Sequence, residues 1–157
     1  MDTHKMDRLT KFSVAWNGIV PAFESRIRQW RPALQDGELE YRNALYDQFR
    51  KILPDDCVIQ KEYRHFGTTI DIWIKWTGIF TTGDIGFELK LNLTKKSEFD
   101  RLIGQIEHME PTKTNIVVLL IGQTDETFLM KLRHKYSSQI SGEGFDKKMA
   151  VVHVPAR

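Results

Sequence analysis

Two carboxylates and a lysine carry the chemistry of this chain: Asp71 within TTIDIWI, and Glu88 and Lys90 within GFELK. Both segments alternate apolar and polar residues, the pattern of half-buried β-strands, in which successive side chains point to opposite faces. In the first, Ile70, Ile72 and Ile74 are expected on one face and Asp71, Trp73 and Lys75 on the other. In the second, Ile85, Phe87, Leu89 and Leu91 share one face, and Gly86, Glu88 and Lys90 share the other. Joining the two apolar rows into one core places Asp71 beside Glu88 and Lys90. Carboxylates held that close repel, and one of them tends to take up a proton. A divalent cation relieves the repulsion, since Mg²⁺ binds one or two carboxylates together with water and phosphate oxygens. An ammonium two residues beyond Glu88 can orient a water or meet charge developing on a phosphate. The alternative for these three residues is a solvated strand face with a surface ion pair of little energetic weight.

The elements that must position them follow from periodicity. Phe12, Trp16, Ile19, Phe23, Ile27 and Trp30 recur at helical spacing, with Pro21 inside the stripe as the expected kink or break and Pro32 as its end. A second helix is predicted over about residues 37–53, with Tyr41, Leu45, Phe49 and Ile52 inward and Pro54 as its stop. Strands are predicted near 57–65, at 69–76 and at 84–91, with a hairpin loop in TGIFTTG between the last two. A helix with Phe99, Leu102, Ile103 and Ile106 inward follows, and Ser97 and Asp100 have the spacing of a capping box. NIVVLLIG, residues 115–122, is a continuous apolar run of strand length, expected to be buried on both faces. A helix near 124–139 and a strand at 149–154 complete the order. The fold class is therefore α/β: a mixed central sheet flanked by helices.

Composition bounds the rest. The chain has 157 residues, 41% hydrophobic and 28% charged, with a formal net charge of +2. Bulk charge does not announce a polyanion partner, although Arg26, Arg28 and Arg31, Lys90, Lys95 and Lys96, and Lys131, Arg133, His134 and Lys135 form local basic clusters. Lys61, Arg64 and His65 add cationic groups on the first strand, as phosphate contacts or as a solvated face. The single cysteine, Cys57, makes no internal disulfide, and His108, His134 and His153 have no zinc-ligand grouping. No apolar run approaches the roughly 18 residues of a membrane span, and MDTHKMDRLTKFS is too polar for a signal peptide. A cytoplasmic location is expected.

TTIDIWI and GFELK, in this order of elements, resemble the PD-(D/E)XK nuclease superfamily, the restriction-endonuclease-like fold. The αβββαβ core of that superfamily corresponds to residues 38 to 121, although Ile70 stands where the motif often has proline. The resemblance implies a phosphodiester hydrolase acting on DNA with Mg²⁺ or Mn²⁺, Asp71 and Glu88 as metal ligands and Lys90 as the catalytic lysine. Many members add a glutamate on the first helix. Glu38 extends the inward stripe of Tyr41 and Leu45, whereas Glu40 points away, so Glu38 is the expected third ligand. Gln105, on the helix after GFELK, matches the glutamine of the RecB-like branch, but Met109 stands where that branch has tyrosine, so the match to it is partial.

The resemblance implies that residues 1–36 are an N-terminal helical extension to a nuclease-like domain of residues 37–157. The apolar stripe of the extension needs cover, either from the domain's own sheet or from a second subunit in a homodimer. Two alternatives accompany the nuclease: a structure-selective enzyme of the Holliday-junction type, and a catalytically silent nucleic-acid-binding or assembly module on the same fold. Trp73, beside Asp71, either stacks on a base or packs beneath a helix.

Overall fold

The computed structural model describes residues 5–65, 67–79 and 82–155. The hairpin tip expected within 77–83 therefore falls partly outside the described residues, at Phe80 and Thr81. Helices α1 (Lys11–Asn17) and α2 (Ile19–Ile27) come first. The break between them is at Gly18, not at Pro21. Gly18 has φ +95°, and a Cβ there would stand 2.3 Å from the carbonyl carbon of Gly144. Pro21 sits in the first turn of α2, where a missing N–H has no helical partner to lose. The apolar stripe divides at this break. Ile19, Phe23, Ile27 and Trp30 are buried in the chain's own core, whereas Phe12 and Trp16 stay on the surface. Leu9 N–H donates to Ile52 O (2.9 Å), which ties the N-terminal segment to the end of helix α3 (Glu38–Ile52).

Among the described residues, five strands form one sheet: β1 (Val58–His65), β2 (Thr68–Thr77), β3 (Thr82–Leu91), β4 (Asn115–Ile121) and β5 (Met149–Val154). Their spatial order is their chain order. The pairs β1–β2 and β2–β3 are antiparallel; β3–β4 and β4–β5 are parallel. The change follows from the connections, because a short link returns a strand antiparallel whereas a helical crossover returns it parallel. Helix α4 (Lys96–His108) makes the first crossover; α5 (Glu126–Lys135) and α6 (Ser137–Ile140) lie in the second. The architecture is thus a mixed sheet flanked by helices.

Each sheet face has its own core. On one, Phe23 meets Phe49, Trp76 and Phe87 with ring centroids 5.4–6.1 Å apart, joined by Ile72, Ile74 and Leu89. On the other, Phe99, Leu102 and Ile106 of α4 cover Val118 and Leu120. Strand β4 is buried throughout Ile116–Ile121, as its continuous apolar run requires.

Local expectations shift in two places. Helix α4 starts after Lys95, so no capping box forms between Ser97 and Asp100, and Asp100 instead pairs with Lys96 at 2.7 Å. The helix expected at 124–139 is two, parted at Tyr136. Among the described residues, no helix is long and apolar enough to cross a membrane.

Candidate metal centre

The site lies where β2 and β3 part. Their ladder ends at the pair Ile72–Phe87. Beyond it, backbone amides of β3 on that side have lost their strand partner, and a buried orphan amide must find another acceptor. Carboxylates supply it. Asp71 Oδ2 accepts from Leu89 N–H at 2.8 Å, and Glu38 Oε2 accepts from Leu91 N–H at 3.1 Å. Two acidic groups are thereby fixed along one strand edge. Glu38 reaches it because α3 begins there, and an acidic residue in a first helical turn also suits the helix dipole.

The alternation of β2 breaks at this point. Ile72 and Ile74 lie in the core beneath α2 and α3, but Ile70 joins Trp73 on the α4 face. Both side chains come to about 3.3 Å or closer to a Cβ placed at Gly86. The expectation that Ile70 shares a face with Ile72 and Ile74 is corrected accordingly. The cause lies across the ladder. Glu62, the residue opposite Asp71, has φ +54°, and that pair is missing from an otherwise continuous β1–β2 register. The twist turns Asp71 toward the gap between β2 and β3.

Glu88 points to the α4 side. It is 1% exposed, and its hydrogen-bonding neighbours are the backbone amide and carboxyl of Asp71, neither in the geometry of a full hydrogen bond. Its carboxylate adjoins that of Asp71, and two anions have no donor to offer each other. A hydrogen bond between them requires a proton on one. Burial first, then the charge and hydrogen bond of the Asp71 carboxyl, push the Glu88 carboxyl up to about 9, against the pull of the Lys90 ammonium and the Asp71 amide. Burial also raises Asp71, despite the Leu89 amide and the charges of Lys90 and Arg42. Glu38 is raised by burial too, opposed by the Leu91 amide and Lys90.

Asp71, Glu88, Glu38 and the half-buried Lys90 therefore meet at one end of β3, close enough to act on one another's charge. No three carboxylate, histidine or cysteine side chains among the described residues converge tightly enough to hold a metal ion jointly. The arrangement offers the Asp71–Glu88 pair, with Glu38 beside it and one of its oxygens engaged by Leu91. A buried pair short of positive charge and of donors fits a divalent ion whose remaining ligands are water and phosphate. Gln105 stands on α4, which covers the face Glu88 points to; its Oε1 is enclosed and without a donor. Met109, one turn later, is fully buried.

Sequence reasoning missed Arg42. It lies one helical turn beyond Glu38, its side chain is 12% exposed, and it pairs with Glu62 at 2.9 Å. Its charge acts on Asp71. The i, i+4 spacing from Glu38 was the available signal. Trp73 is buried and stacks on Tyr63 (5.0 Å) and His65 (5.2 Å), so its ring already has neighbours within the fold.

The chain matches no protein-family model, no curated protein and no solved structure.

Proposed function

We propose that this chain is a metal-dependent nuclease of the PD-(D/E)XK superfamily that hydrolyses phosphodiester bonds of DNA. Helix α3, strands β1–β3, helix α4 and strand β4 would form its restriction-endonuclease-like core. One observation carries the reading: Glu88 is buried against a second carboxylate, so the two can both ionise only when a cation joins them.

In this reading Asp71 and Glu88 hold Mg²⁺ or Mn²⁺. When bound, the ion supplies charge neutralisation and Lewis acidity toward a phosphate oxygen. Asp71 is held in place by the Leu89 amide, so its aim needs no rearrangement. Lys90, half-buried beside both acids, orients the attacking water and meets the charge that develops on the phosphate. Glu38, steadied by Leu91 N–H, positions water at the rim. Gln105 offers its amide from the α4 side. The water oxygen bonds to phosphorus in line as the bond to the leaving oxygen breaks, the water gives up a proton to solvent, and the leaving oxygen takes up a proton from solvent.

The test is Mn²⁺ titration by calorimetry, together with incubation of linear, circular, single-stranded and branched DNA with Mg²⁺, Mn²⁺ or EDTA. Metal binding and metal-dependent cleavage are expected. Lys90→Ala should lower cleavage by at least about 100-fold, the scale of removing a group that meets transition-state charge. Its folding and DNA affinity should persist, because Lys90 is outside both cores. A parent protein that binds no Mn²⁺ and cuts none of these DNAs would overturn the reading; retained DNA binding in that protein would indicate the silent module instead.

A further inference from the structure

Arg42 is a cation of this site with no part in metal binding or in orienting water. Three observations place it there. It stands one helical turn beyond Glu38 on α3. It pairs with Glu62, the β1 residue across from Asp71 in the gap of the β1–β2 register. Its charge acts on the Asp71 carboxyl. The guanidinium is unevenly satisfied. Nη1 donates to Glu62 Oε1 at 2.9 Å. Nε is enclosed without an acceptor, and no acceptor meets Nη2 among the described residues. A buried N–H without a partner is costly, so this position leaves the fork short of an anion.

Glu62 is a weak and strained partner. It is 64% exposed, and an ion pair open to water on one side contributes little. Its φ of +54° is left-handed, a conformation that residues with a Cβ rarely adopt and that recurs at functional sites. Lys61 and Glu62 are consecutive, yet both reach α3, at Asn43 (3.2 Å) and at Arg42, where regular alternation would send them to opposite faces. The left-handed residue thus brings a carboxylate to Arg42.

We propose that Arg42 binds the non-bridging oxygens of the phosphate that lies at Asp71 and Glu88, and that Glu62 holds the guanidinium until the nucleic-acid strand arrives. The proposal rests on the nuclease reading of that centre. A phosphodiester offers paired oxygens, which suit the Nε–Nη2 edge of a planar fork. Leaving Glu62 gives up one screened ion pair and brings two idle N–H groups onto an anion.

The experiment measures binding of a short fluorescent DNA duplex, with Ca²⁺ in place of Mg²⁺, across a salt series. Four proteins are compared: the parent, Glu62→Gln, Arg42→Met and the double variant. Methionine keeps much of the apolar stem of the arginine, and thermal melts check folding. Arg42→Met should bind at least about 10-fold more weakly, the scale of a hydrogen bond to a charged group. Its slope of log affinity against log salt should fall by about one. Glu62→Gln should bind about 2–5-fold more tightly, the scale of an exposed ion pair that Arg42 no longer has to leave. In the Arg42→Met background that gain should vanish, because it passes through the guanidinium. A gain of the same size in both backgrounds would make Glu62 a bulk charge and overturn the proposal. Unchanged affinity and salt slope in Arg42→Met would overturn it too. Glu62→Gln alters an exposed side chain, so an affinity no higher than the parent's overturns the proposal even where Arg42→Met does not fold. Mn²⁺ binding and cleavage by the parent decide the nuclease reading separately; with those intact, each of these failures removes the role of Arg42 alone. A parent that binds no DNA overturns both.

Discussion

A carboxylic acid enclosed beside a second carboxyl keeps its proton until the solution pH forces it off, and Glu88 is such an acid. Its carboxyl lies at about 9 in the fold against an ordinary 4.5. The folded state therefore binds this proton more tightly than the unfolded chain does. The resulting stabilisation is complete below about pH 4.5 and is lost as pH rises through about 9. Asp71 and Glu38 are shifted in the same direction and add to the slope. With chelator present, the parent should melt at progressively lower temperature between about pH 5 and about pH 9. Glu88→Gln should flatten most of that decline and should be the more stable protein at the alkaline end. Adding Mn²⁺ at about pH 8.5 should raise the melting temperature of the parent and not of the variant. Parallel melting curves for the two proteins across this pH range would show that Glu88 does not set the dependence.

At the scale of elements, two glycines separate tertiary demand from local preference. Gly18 parts α1 from α2 at φ +95°, and a Cβ there would meet Gly144 C and O at 2.3 and 2.4 Å, both backbone atoms that cannot swing aside. Gly104 lies within α4, and a methyl group there would have nothing within 4 Å. Gly18→Ala should therefore cost roughly 2–4 kcal/mol, from backbone strain together with overpacking. Gly104→Ala should gain about 0.5–1 kcal/mol, because alanine orders a helix interior at lower entropic cost. Urea unfolding of the two variants measures both, and a Gly18→Ala protein as stable as its parent would contradict the close approach to Gly144.

Across the whole molecule, Phe23 joins the N-terminal helices to everything else. Its ring touches Phe49 of α3, Trp76 of β2 and Phe87 of β3, and it is fully buried. Phe23→Ala should lose about 3–5 kcal/mol, the range for an aromatic core cavity. Trp16, 78% exposed and stacked among the described residues only on Phe12, is the counterexample from the same stripe. Trp16→Ser should stay within about 0.5 kcal/mol of the parent, since the two residues also have similar helix propensity. Equal losses for both variants in equilibrium unfolding would mean that the stripe acts as one surface instead of dividing at Gly18.

Features that depend on near neighbours along the chain were legible without a structure. The inward stripe of Tyr41, Leu45, Phe49 and Ile52, the double burial of β4 and the mixed α/β order all follow from periods of 3.6 and 2. What depends on distant backbone did not show. Gly18 is required by Gly144, which no local window contains. Ile70 changes face because Glu62, on another strand, takes a left-handed conformation opposite Asp71. Arg42 becomes part of the site only where α3 crosses that distortion. The order of residues along the chain selected the candidate groups. The parting of β2 from β3 decided how deeply they are buried and which orphaned amides hold them, because desolvation and strand divergence are properties of the packed sheet.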